Sequence, residues 1–162
     1  MPTTPALDTL LHDAKARLES SGAFGPVLLR AGMLEAAARH SSEPAFYRLE
    51  RDPGPDGRLW VSLVTPSRWL SESIESDLVE HADDLGELVE DELIELGYEG
   101  PGLPPTFQHF RSPDLLYTFR TPLPIEASGI GSPRSLEVAC TWLLAYEQAF
   151  RRLGDMESGG QE

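Results

Sequence analysis

The chain has 162 residues, with 13 Lys or Arg against 27 Asp or Glu and a formal charge of −14. Hydrophobic residues make up 40 % and charged residues 25 %, an ordinary balance for one globular domain with a real core. So anionic a surface repels phosphate backbones and anionic lipid, which argues against nucleic-acid and membrane binding and favours polypeptide partners, basic ones first.

A single cysteine, Cys140, excludes an internal disulfide framework and any zinc site built on cysteine. No apolar run approaches the ~18 residues of a membrane span, and no basic-then-apolar leader opens the chain. The cytoplasm is therefore the expected location.

Thr4-Pro5 suits a helix cap followed by proline at the first helical position. Leu7, Leu10, Leu11, Ala14 and Leu18 then form one stripe, and the helix is expected to stop near Gly22. Val27 to His40 resumes with Ala36, Ala37 and Ala38, which favour helix, although Val27-Leu28-Leu29 alone also suits a short strand. Residues 45–50 and 58–64 alternate as two strands joined by RDPGPDG, strong turn chemistry. In the second, Leu59, Val61 and Leu63 share the face expected to meet helices, which leaves Trp60 on the outer face and partly wet.

Ser67 to Gly97 reads as a long acidic helix. Leu70, Ile74, Leu78, Leu85, Leu88, Val89, Leu93 and Leu96 recur at helical spacing, and Gly86 is where the helix is expected to kink or split. Between them lie eleven carboxylates, with no Lys or Arg after Arg68. GPGLPP at 100–105 is a rigid connector, and residues 106–110 and 115–121 read as a second hairpin with Tyr117 and Phe119 toward the core. Ser132-Pro133 opens a last helix running to about Leu153. The expected whole is a single α+β domain over residues 1–153, with a disordered acidic tail at 154–162. Its antiparallel sheet of two hairpins packs against the long central helix and the N- and C-terminal helices.

The carboxylates invite a metal. Asp77, His81 and Asp84 fall on one helical face, with oxygen and imidazole ligands suited to a divalent cation. Glu72-x-x-Glu75 followed by Glu87-x-x-Glu90-Asp91 also resembles the magnesium-binding carboxylates of MazG-type nucleotide pyrophosphohydrolases. That resemblance implies the competing function, a Mg²⁺- or Mn²⁺-dependent nucleotide hydrolase. Against it, a charge run on an amphipathic helix is in general its solvated face, and no second ligand cluster or triphosphate-binding basic group stands out.

Cys140 lies in an apolar helix, where a small buried thiol is expected, and His109 alternates with Phe107 as a packed or edge histidine. His12 and His40 fall near helix surfaces or ends. No GxSxG, P-loop, GxGxxG or HExxH occurs, so neither a catalytic constellation nor a cofactor is expected.

In the last helix Leu136, Ala139, Cys140, Leu143, Leu144 and Phe150 line one side, and Val138, Trp142, Ala145 and Ala149 carry the apolar surface round to another. A helix so apolar is either sandwiched in the core or pressed on a partner, which makes Val138, Trp142 and Ala149, with Trp60, the candidate contact residues for a partner or a second copy.

Residues 115–153 resemble the closing part of YbjN-type bacterial domains, which are similar in fold to type III secretion chaperones. A strand reading aromatic-x-Arg-x-x-Leu-Pro, here Phe119, Arg120, Leu123 and Pro124, runs into a loop and a helix opened by Ser132. The order helix, strands, helix, two strands, helix agrees. The resemblance implies a non-enzymatic, chaperone- or adaptor-like module that binds other polypeptides and often dimerises.

Overall fold

The computed structural model describes residues 5–30, 32–39, 41, 43–52, 57–81, 84–103, 105–125, 129–154 and 156. The expected cap Thr4, His40 and positions 155 and 157–162 of the expected tail lie outside them.

Helix α1 (Pro5–Ser21) buries the stripe Leu7, Leu10, Leu11, Ala14 and Leu18, and Gly22 follows it with φ +72°. The next segment is a hairpin, β1 (Val27–Arg30) and β2 (Met33–Ala37), with Gly32 at φ +71° between its strands. The helical preference of Ala36 and Ala37 loses to tertiary context. Ala36 pairs with Val27 on one side and Tyr47 on the other, so a small side chain fits where sheet and helices close together. Gly25 allows the chain to enter the sheet closely, since its N–H donates to the Ala37 carbonyl at 2.8 Å and a Cβ there would lie 3.2 Å from that of Ala37.

β3 (Phe46–Arg51) and β4 (Leu59–Thr65) form the first expected hairpin, and β5 (Gln108–Arg111) with β6 (Tyr117–Pro122) the second. All six strands join one antiparallel sheet in the order β1-β2-β3-β4-β6-β5, so the α+β class holds with a third hairpin added at one edge. Leu34, Leu49, Val61, Leu63 and Phe119 face the helices and enter one hydrophobic core with α1 and the last helix.

The acidic segment runs as two helices, α2 (Arg68–Glu80) and α3 (Leu85–Glu95). The break falls just ahead of Gly86 because Asp84 caps α3, its carboxylate accepting from Gly86 N–H at 2.8 Å. Gly86 also lies against the connector, where a Cβ would stand 2.8 Å from the Pro105 carbonyl oxygen. The expected stripe does face inward: Leu70, Ile74, Val89 and Leu93 are fully buried, and Leu78, Leu85, Leu88 and Leu96 pack on the core's edge.

Helix α4 (Pro133–Arg151) begins at the Ser132 cap and lies between the sheet, α1 and α3. Its buried Tyr146 hydroxyl shares a 2.6 Å hydrogen bond with Thr121 Oγ1, tying the helix to β6. The chain stays packed beyond α4, since Leu153 and Met156 are both buried in the core. Among the described residues no helix is long and apolar enough to cross a membrane.

Candidate functional site

The sequence-chosen contact residues are enclosed by the chain itself. Trp142 has 0 % exposure, with Tyr98 edge-on at 5.7 Å, and Val138 and Ala149 are buried beside it. Trp60 does lie on the outer sheet face but is only 8 % exposed, because the Arg120 guanidinium covers its ring at 3.9 Å. The broad apolarity of α4 therefore belongs to a helix packed against the sheet, α1 and α3, and Val138, Trp142 and Ala149 are not free for a dimer.

Large apolar side chains stand open elsewhere: Leu28, Phe110 and Leu115 on the sheet and its turns, and three more on α2 and α3. Trp69 is 65 % exposed, and Val79 and Ile94 are also largely in solvent. Ile94 borders a cleft of about 830 Å³ where α3 meets α2 and the end of α4. Four carboxylates line it (Asp77, Asp91, Glu92 and Glu95) against Arg152 and His81. Arg152 is paired with Glu92, and His81 Nδ1 lies 2.7 Å from Asp77 Oδ1. The bond to the Asp77 carbonyl, and then the charge of its carboxylate, raise the His81 pKa above the ordinary imidazole value. Asp77 Oδ2 accepts from Gly154 N–H at 2.8 Å, fixing the C-terminal turn against α2. Asp77 and Gly154 also border a second cleft of about 420 Å³ that holds Trp69, Glu72 and Glu80, so acidic surface with apolar side chains runs on along α2.

Asp77, Glu80 and His81 bring ligand atoms within 4.8 Å of one another. Asp77 is already engaged by His81 and by Gly154 N–H, and the expected third ligand, Asp84, is spent on capping α3. The pyrophosphohydrolase-like set is dispersed: Glu72 pairs with Arg68 at 2.8 Å and Glu75 with His109 at 2.8 Å, while Glu87, Glu90 and Asp91 lie on α3. Among the described residues no three of these five come within ligating reach of each other.

Cys140 is buried, and that burial pushes its thiol up to about 11, away from thiolate chemistry. His12 bonds back to the Asp8 carbonyl of its own helix. His109 makes a contact that sequence reasoning missed. Its Nε2 lies 3.4 Å from Ser71 Oγ, opposite the nitrogen that meets Glu75, and its ring stacks on Phe119 with centroids 3.8 Å apart. Ser71, Glu75 and His109 border a third cleft, of about 500 Å³, with Arg68, Glu72, Phe110, Arg111 and Tyr117. No sequence motif signals the set, since Ser71 and His109 stand 38 residues apart. Comparison of the chain with family models, curated proteins and solved structures returns no match.

Proposed function

We propose that the chain is a cytoplasmic, chaperone- or adaptor-like module that binds a basic amphipathic segment of another polypeptide along α2 and α3. One observation carries this reading: Trp69 and Ile94 stand in solvent at two clefts whose carboxylates far outnumber their cations. Exposed apolar groups of this size on a small domain favour a partner, and the surrounding charge selects one with Lys or Arg beside its apolar face. A second copy brings −14 against −14, so a heterotypic partner fits better than a dimer on this surface. The likeness of residues 115–153 to YbjN-type domains supports the same reading, although four strands, β1 to β4, precede the helical segment.

Calorimetric titration with a synthetic Leu/Lys amphipathic helix tests the reading. Binding is expected at low salt, weakening as salt screens the acidic surface. Charge reversal by Asp91→Lys with Glu95→Lys, or Ile94→Glu alone, is expected to weaken it about tenfold, because rim charges act on encounter and apolar anchors on retention. A Leu/Glu helix binding equally well, or charge reversal without effect, would overturn it.

A further inference from the structure

The Ser71, His109 and Glu75 set has a geometry that a polypeptide-docking function does not use. Ser71 lies in the first turn of α2, after the Ser67 cap, with Glu75 one helical turn further on and His109 inside β5. Glu75 Oε2 sits 2.8 Å from His109 Nδ1, which assigns that nitrogen the proton and leaves Nε2 as the acceptor facing Ser71 Oγ. Stacking on Phe119, with the ring planes 12° apart, holds the imidazole in that orientation. Hydroxyl, imidazole and carboxylate thus stand in the order of a nucleophile, its base and the group that orients the base. The 3.4 Å Ser–His separation is long for a ground-state hydrogen bond, but such contacts tighten when substrate is bound. Ser71 is only 3 % exposed, yet it borders the third cleft, so a small acyl group has a way in.

Charge developing on an acyl oxygen also has somewhere to go. Helical side chains lean toward the helix N-terminus, which places a group carried by Ser71 over the first turn of α2. There the backbone N–H groups of Arg68 and Trp69 precede the first intrahelical bonds and carry the positive end of the helix dipole. The Arg111 guanidinium borders the same cleft beside the rings of Phe110 and Tyr117, as does Arg68, which is paired with Glu72.

We propose that Ser71 and His109 are the nucleophile and general base, and Glu75 the positioning residue, of a site that hydrolyses small carboxylic esters, those with an aryl group or a second carboxylate first. Ser71 Oγ attacks the carbonyl carbon as its proton passes to His109 Nε2. The carbonyl-to-oxygen bond of the ester breaks, and the imidazolium returns that proton to the departing alcohol. Water then attacks the acyl-serine, giving its proton to His109; the Ser71 oxygen leaves, recovers the proton, and the carboxylic acid is released. Glu75 keeps Nδ1 protonated and offsets the imidazolium charge. Burial holds the His109 pKa below its ordinary value, against the opposing pull of Glu75, so the base is neutral near pH 7.

The test is release of 4-nitrophenolate from 4-nitrophenyl acetate and from the 4-nitrophenyl monoester of succinate, with peptide mapping of the quenched protein by mass spectrometry. The full-length chain is expected to accelerate hydrolysis about a hundredfold over buffer, to favour the succinate ester, and to carry the acyl group on Ser71. Ser71→Ala and His109→Gln are expected to return the rate to background with the fold intact by circular dichroism. Glu75→Gln slows the reaction and moves the pH inflection lower, since the carboxylate raises the His109 pKa, and Glu75→Asp restores part of the rate. A role confined to tethering β5 to α2 moves neither the rate nor the inflection. No acceleration by the wild-type chain, a rate untouched by Ser71→Ala, or an acyl group found elsewhere would each overturn the assignment. The peptide titration is independent of it, so either reading can fail alone.

Discussion

Trp142→Ala is expected to lower the unfolding free energy by about 3–5 kcal/mol, the range for truncating a large aromatic in a core that cannot collapse around the gap. The side chain is wholly enclosed. Tyr98 meets it edge-on, and Gly102 comes so close that a Cβ there would touch the indole at 3.2 Å. Truncation therefore loses chiefly packing. Urea denaturation followed by circular dichroism measures the loss. Light scattering on the folded fraction is expected to give the wild-type mass, because the residue packs against its own chain. A change of mass at unchanged stability would restore Trp142 to a partner surface.

Gly154→Ala is expected to cost about 2–4 kcal/mol, combining a left-handed backbone with a steric collision. Gly154 has φ +53°, and a Cβ would fall 2.6 Å from the Ser73 carbonyl carbon, a backbone atom that no rotamer change can move aside. Relief requires the C-terminal turn to lift from α2, breaking the Gly154 N–H bond to Asp77 and unseating Leu153 and Met156. Gly22→Ala is the control: φ is +72° there, but nothing lies within 4 Å of the added carbon, so only the conformational cost of about 1–2 kcal/mol applies. Thermal melts of the two variants separate the terms. Equal losses would show that the turn moves freely and that Asp77 does not hold it.

The contrast between these elements and the functional candidates shows where sequence reasoning ran out. Period and capping made α1, α4 and the β3–β4 and β5–β6 hairpins readable, because each signal is local: Ser132 before Pro133, the alternation of Leu59, Val61 and Leu63, the stripe from Leu7 to Leu18. The β1–β2 hairpin was hidden by alanines whose local preference is helical and whose place is set by the neighbouring strand β3. The role of Asp84 as a cap was obscured by the carboxylates around it. The width of the apolar surface on α4 was evident, but what covers it was not, since α1, α3 and the sheet arrive from distant parts of the chain. Ser71 and His109 could not be paired beforehand for the same reason: only the packing of α2 against the sheet edge brings them together.

The three tryptophans occupy three dielectric environments, and that makes the molecule its own optical gauge. Trp142, with no solvent contact, is expected to emit at the blue end and to shift only on global unfolding. Trp60 lies under a guanidinium that perturbs its emission without admitting water. Trp69 stands in solvent at the cleft that Glu72, Asp77 and Glu80 line, so caesium ions should quench it readily while iodide is held off by the surrounding charge. The ratio of the two quenching constants reads the local potential over α2, and its collapse on adding a basic ligand would report occupancy of that surface without any label.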